Sequence, residues 1–309
     1  MAPYTLPPKA VWFITGCSSG MGATLVTYLS THTDALIVAT ARNPTTLSSL
    51  PSTPNILKLA LDVTSETSIR SAITTTLAHW HRIDILVNNA GYGLMADTET
   101  VPPSISRPLM ETNFWGPVLL TQLILPIFRE QNALSGTIGG LVLQVSSMGG
   151  RMAFAGNAFY HASKFALEGF TEAVAKEMHP DWNIHFLLLE PGGVKTRFAE
   201  TSTKDDAAAG DEGWLDAYLG PSLGTNQLLA YKQDKEATKG WAEPGKVVEA
   251  IYGVVSGGEV PLRLALGSDA WNMVKMGYEE GLKGLERWKE VGLGTSGGEQ
   301  LESIGFLKK

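Results

Sequence analysis

Short apolar runs rich in branched residues recur along the chain at residues 10–15, 35–40, 56–61, 83–87, 140–145, 184–189 and 262–266. Each is closed by turn residues or charge, the pattern of strands buried on both faces. Helical spacing of apolar positions fills the gaps at 20–30, 65–80, 107–130, 157–178 and 244–255. Strand–helix alternation of this kind predicts an α/β fold, a doubly wound parallel sheet of about seven strands. Two segments depart from it. Residues 198–240 show no strand period and mix a polar piece, 201–213, with Trp214, Tyr218, Tyr231 and Trp241, as expected of a lid or substrate loop. Residues 268–291 place Trp271, Val274, Tyr278, Leu282, Leu285 and Trp288 on one helix face, a stripe expected to pack as core or as a subunit contact. Gly277, Gly281 and Gly284 interrupt that helix, and 292–298 reads as flexible. No linker divides two cores, so residues 1–309 are expected to form a single domain with a lid and a C-terminal helix.

Composition narrows the function. A net charge of −7 argues against a nucleic-acid-binding face, which must be basic. The single cysteine, Cys17, permits no internal disulfide and suits a reducing compartment. No stretch approaches the ~20 apolar residues of a membrane span, and the first nine residues lack the basic flank and long apolar core of a signal peptide. A cytoplasmic location is therefore expected. The histidines form no HExxH, and His79 and His81 do not share a helix face, so no metal site is expected.

The first apolar run leads into Thr15-Gly16-Cys17-Ser18-Ser19-Gly20-Met21-Gly22, and a helical pattern follows. Glycines let the backbone turn tightly against a pyrophosphate, and the helix start offers free N–H groups to it. Gly16, Ser18, Ser19, Gly20, Met21 and Gly22 are the candidate phosphate cradle. An acid at the end of the second strand would hold the ribose 2′-hydroxyl of NAD. Here that place falls on Ala41, and Arg42 follows. A guanidinium suits a 2′-phosphate through charge-assisted, forked hydrogen bonds, which points to NADPH/NADP+; the plainer reading is a solvated loop charge.

Tyr160 and Lys164 stand four apart in a helical pattern and so share a face. A phenol titrates near ~10, and a neighbouring ammonium is expected to lower that value toward use in acid–base chemistry. Val145-Ser146-Ser147 ends a strand thirteen positions before Tyr160, which places Ser147, with Ser146 as the fallback, at the carboxyl end of the sheet where ligands bind.

Together these motifs resemble the short-chain dehydrogenase/reductase family: TGxxxGxG at Thr15–Gly22, NNAG at Asn88-Asn89-Ala90-Gly91, Ser147, and YxxxK at Tyr160–Lys164. The resemblance runs to about Gly267 and is nearest to steroid- and retinol-dehydrogenase-like members, from Arg42 and the ASKFALEG of Ala162–Gly169. It implies a Rossmann-type fold and an NADP-dependent ketoreductase, with Tyr160, Lys164, Ser147 and Asn113 as the catalytic set. Asp62 and Val63 would contact the adenine, Asn89, Ala90 and Gly91 would steady the sheet beside the cofactor, and Pro191, Gly192, Val194 and Thr196 would flank the nicotinamide. Asn113 is equally readable as a satisfied core amide, and Asp62 as a helix N-cap or turn residue. The resemblance further implies a homodimer or homotetramer through the helices at 107–130 and 157–178. Met148, Met152, Phe154, Trp214, Leu215 and Tyr218 suggest a hydrophobic ketone or alcohol as substrate. Two rival readings are a non-catalytic NADP-binding sensor on the same fold and a dehydratase or cyclase using the same site.

Overall fold

In the computed structural model, residues 4–132, 136, 138–198, 215–297 and 299–308 are described. Seven parallel strands form one sheet in the order β3-β2-β1-β4-β5-β6-β7. They are β1 Val11–Ile14, β2 Leu36–Ala41, β3 Ile56–Ala60, β4 Ile85–Asn88, β5 Gly140–Val145, β6 Ile184–Pro191 and β7 Arg263–Leu266. The period-2 alternation of each strand divides the core in two. Trp12 and Ile14 of β1, with Ile37 and Ala39 of β2, face α1 (Gly20–His32) and a helix near the C-terminus, Pro244–Gly257. Val11, Phe13 and Val38 face the opposite layer, which contains α2 (Glu66–Trp80). Both layers being apolar explains why these strands read as continuous apolar runs.

The long helical run starts earlier than the sequence suggests, at Pro103, because a proline at the first helical position has no N–H to waste. It continues as α3 (Pro103–Met110), a π turn (Glu111–Trp115), α4 (Gly116–Pro126) and a second π turn (Ile127–Gln131). Pro117 carries no N–H, so the carbonyl of Asn113 is deprived of its i+4 donor, and the first π turn lies there.

The helix bearing Tyr160 and Lys164 is α5 (Ala158–Glu177). Within residues 198–240, expected as a lid, a helix absent from the sequence reading forms at α6 (Gly224–Gln233); its weak periodicity concealed it. Trp214 and the polar piece 201–213 lie outside the described residues. After α7 (Pro244–Gly257) comes α8 (Ser268–Arg287), whose apolar stripe corrects the expectation of core packing: Trp271, Tyr278, Leu282, Leu285 and Trp288 are exposed. Only Ala270 is buried on that helix, because it runs past the edge strand β7 and beyond the body. A short helix, Lys289–Leu293, continues into the stretch expected to be flexible.

Strand order reverses between β1 and β4, and their carboxyl ends are tied together by Thr15. Its buried hydroxyl donates to Val87 O at 3.2 Å and accepts from Asn89 N–H and Ala90 N–H, both at 2.9 Å. The Asn89 amide returns to Thr15 O and Gly16 O at 2.8 and 3.1 Å. Replacing Thr15 by Val keeps the shape but orphans the Ala90 N–H and leaves Asn89 N–H with only its 3.0 Å bond to Val87 O. At about 1–3 kcal/mol for one unsatisfied group, Thr15→Val should lower unfolding free energy by roughly 1–3 kcal/mol, measured by denaturant titration; an unchanged midpoint would contradict this tie.

Candidate active site

Gly16 adopts φ +70°, and a Cβ there would stand 2.8 Å from Ala90 Cα; at Gly22 it would stand 2.5 Å from Gly16 O. Both glycines are therefore required for the loop to seat against β4. Gly20 also has positive φ, +60°. Ser19 precedes α1 in extended conformation and makes no side-chain cap, which leaves the helix N–H groups facing the loop. Apart from Gly22 and Asn113, which support it from behind, every catalytic and cofactor residue predicted above lines one cavity of about 1370 Å³; of the apolar residues expected toward the substrate, Met148 and Phe154 line it and Met152, Leu215 and Tyr218 do not. A single small-molecule pocket occupies ~300–1,000 Å³, so this volume accommodates a dinucleotide and a second molecule.

At the outer end, Arg42 is exposed on the cavity rim, close enough to Asp62 and Tyr92 to act on both electrostatically. Asp62 is a turn residue: its Oδ1 accepts from Thr64 N–H at 2.9 Å and Thr64 Oγ1 at 2.7 Å. Those bonds, the backbone one foremost and aided by Arg42, hold its carboxyl below the usual range. The N-cap of α2 is Ser65 rather than Asp62.

At the inner end, Lys164 is buried and donates to Val145 O at 2.8 Å, with its Nζ 5.8 Å from the Tyr160 ring centre. Burial pushes the ammonium down to about 8, opposed by the charge of Glu168 one turn on. Tyr160 departs from expectation. Burial pushes its phenol up to about 12, outweighing the hydrogen bond from Ser147. Ser147 Oγ also accepts from Gly149 N–H at 3.0 Å, which aims its proton toward Tyr160. Ser146, the fallback, is buried, and its hydroxyl lacks a hydrogen-bond partner among the described residues.

Asn113 is a satisfied amide: its Oδ1 accepts from Tyr92 N–H at 3.0 Å, and its Nδ2 donates to Tyr92 O at 2.8 Å and Ser163 Oγ at 3.2 Å. Its side chain fixes the strand-end turn that carries Gly91, where a Cβ would lie 3.7 Å from Lys164 Nζ. Its main-chain carbonyl lacks an i+4 donor, because Pro117 has no N–H.

Several residues escaped the sequence reading. Asp269, at the start of α8, accepts from Gly193 N–H at 2.6 Å, while Trp241 presses the other side; a Cβ on Gly192 would collide with the Asp269 carboxylate and one on Gly193 with the Trp241 ring. The Pro191–Gly192–Gly193 turn is thus gripped from two sides. Behind Lys164, buried Glu168 and Glu190 share Arg263, at 3.0 and 3.7 Å, and Arg151, at 3.9 and 4.0 Å. Burial and the neighbouring Glu168 push Glu190 up to about 7. Arg151 also stacks on Tyr278 with its guanidinium 5.0 Å from the ring centre, so α8 touches the loop after Ser147. These contacts join positions far apart in sequence, and no local motif announces them.

The family model described as short chain dehydrogenase matches residues 10–207. The chain belongs to the short-chain dehydrogenases. Oxidoreductase calM of Penicillium decumbens is 41% identical over 295 residues, covering 94% of this chain and 94% of its own. Retinol dehydrogenase 8 of Homo sapiens is 30% identical over 272 residues, 83% of this chain and 80% of its own. A solved short-chain dehydrogenase from Streptomyces avermitilis superposes with a TM-score of 0.77 at 29% identity, covering 94% of this chain and 100% of that one. As a short-chain dehydrogenase the protein is an oxidoreductase, and no helix among its described residues is long and apolar enough to cross a membrane.

His161, beside Tyr160 in this short-chain dehydrogenase, locks the cavity floor. Its Nε2 accepts from Phe154 N–H at 3.0 Å, so Nδ1 carries the proton and donates to Gly149 O at 2.8 Å. Burial, the largest cause, holds its pKa below the ordinary value. The unfolded chain then takes up the proton first on acidification, so the His161 contribution is present above ~6.5 and is lost as pH falls through the folded value. Melting temperatures from pH 8 to pH 5 should fall less steeply in His161→Asn than in the parent; identical slopes would contradict this assignment.

Proposed function

We propose that this protein is an NADP(H)-dependent ketoreductase of hydrophobic carbonyl compounds, and the observation that carries the reading is the convergence of Tyr160, Ser147 and buried Lys164 at the inner end of a cavity whose rim bears Arg42. When bound, the dihydronicotinamide supplies the hydride. Ser147 donates a hydrogen bond to the substrate carbonyl oxygen, one that strengthens as charge develops there. Tyr160, protonated at neutral pH, gives its proton to the nascent alkoxide. Lys164, charged below about 8, holds the ribose hydroxyls and favours loss of the Tyr160 proton. Asn113 presents its carbonyl to a water that resupplies the proton through Lys164. The Gly16–Gly22 loop and the start of α1 take the pyrophosphate, Asp62 and Val63 the adenine, and the clamped Pro191–Gly192 turn, with Val194 and Thr196, the nicotinamide.

Arg42, exposed and without a salt bridge among the described residues, is the group for a 2′-phosphate, and Ala41 offers no carboxylate to repel it. The ketone is hydrophobic because Met148, Phe154, Phe198 and Leu228 line the inner cavity, a choice in keeping with the retinol of the human relative's name. α6 and the segment before it serve as the lid. Trp115 and Phe165, exposed on the π turn and α5, support a homodimer or homotetramer through those helices, and the protein is assigned to the cytoplasm. The intact Tyr160, Lys164 and Ser147 favour this reading over a sensor.

Tyr160→Phe should reduce ketone-dependent NADPH oxidation by about 100-fold or more, with NADPH binding by fluorescence titration retained. Arg42→Ala should weaken NADPH about ten- to a hundredfold and NADH far less. Retained activity in the first variant, or equal use of both cofactors by the parent, would overturn the corresponding part.

A further inference from the structure

Lys232, near the end of α6, turns into the inner cavity rather than out to solvent. The residue is half-buried, and its ammonium donates to a thioether, Met95 Sδ at 3.9 Å. No carboxylate of the described residues stands within ion-pair distance. Burial lowers its pKa, and among the described residues no charged partner offsets it. The adjacent imidazole cannot help, since both nitrogens of His161 are committed to backbone groups. A flexible lysine on the outer face of a lid would keep its charge in water at no expense. One held over an apolar cavity without a counter-charge is costly until an anion arrives.

The other cations lining the cavity sit elsewhere. Lys164 is bonded to Val145 O, Arg42 is at the rim, and Arg197 follows Thr196, whose Cβ lies 3.6 Å from the position of a Gly20 Cβ on the phosphate-loop side. One lysine on the substrate side matches one negative charge. A phosphate monoester, carrying about −1.5 to −2, would leave much of its charge unmet there.

We propose that Lys232 is a specificity-determining residue that pairs with a carboxylate on the substrate, so that the preferred ketone is an amphipathic oxo acid whose apolar chain lies along Phe154 and Leu228. This deepens the ketoreductase reading and rests on it for the carbonyl, while the carboxylate subsite is testable by binding alone.

The test uses the full-length protein saturated with NADP+. Decanoate and methyl decanoate are titrated by calorimetry, and medium-chain oxo acids with the ketone at successive positions, together with their methyl esters, are assayed with NADPH. The parent should bind decanoate about ten- to a hundredfold more tightly than the ester, the worth of one charged hydrogen bond. The acid-to-ester ratio should fall toward one in Lys232→Met, which keeps length and apolar bulk, and persist in Lys232→Arg. In turnover, the loss for the acids should appear in KM rather than kcat. Equal affinity for acid and ester in the parent, or a preference for the acid that survives Lys232→Met, would overturn the proposal. Selective decanoate binding with no oxo acid reduced would support the subsite and count against ketone reduction instead.

Discussion

The site is organised around one buried ammonium. Lys164 reaches the carboxyl end of β5 and gives a hydrogen bond to Val145 O, with Gly91 and Asn113 closing over it from β4 and the long helical run. An ammonium withdrawn from water must be met by acceptors and negative charge. The surroundings supply the first through the Val145 carbonyl and the second through Glu168, itself balanced by Arg151 and Arg263. The same burial raises the Tyr160 phenol, so the resting protein holds a protonated tyrosine beside a lysine whose charge is only moderately secure. That pairing is an acid primed by its neighbour, and it exists because the ends of β4 and β5, α5 and the long helical run converge.

Holding such a cluster requires the strand ends to stay in register. Thr15 ties β1 to the turn after β4, and Asp269 with Trp241 fixes the turn after β6. The first tie spans the point where strand order reverses, the place where α/β sheets bind ligands, and the second lies two strands beyond β4. α8 contributes to both ends of the inner site, through Asp269 and through the stacking of Tyr278 on Arg151, while most of its length stands clear of the body. The C-terminal helix is therefore part of the site's scaffold as well as an exposed surface.

Much of this was legible in the sequence because it is local. Strands buried on both faces write continuous apolar runs; Gly16, Gly20 and Gly22 are demanded by positive φ or contact with β4; Tyr160 and Lys164 share a face by helical spacing. What was not legible depends on residues far apart in the chain. The Gly193–Asp269 bond spans 76 positions, and Arg263 meets Glu168 across 95. Burial also reversed the sign expected for the Tyr160 shift, since spacing reveals a neighbouring charge but not the loss of solvent. The apolar stripe of α8 misled for a related reason: periodicity shows that a face is apolar, not that anything covers it.

The buried ammonium is best tested directly, without a substrate. Protein labelled with nitrogen-15 at lysine side chains, with the Lys164 resonance assigned by its loss in Lys164→Arg, can be titrated by NMR. The account predicts a midpoint near 8 for Lys164. A midpoint close to the ~10.4 of an exposed lysine would contradict it.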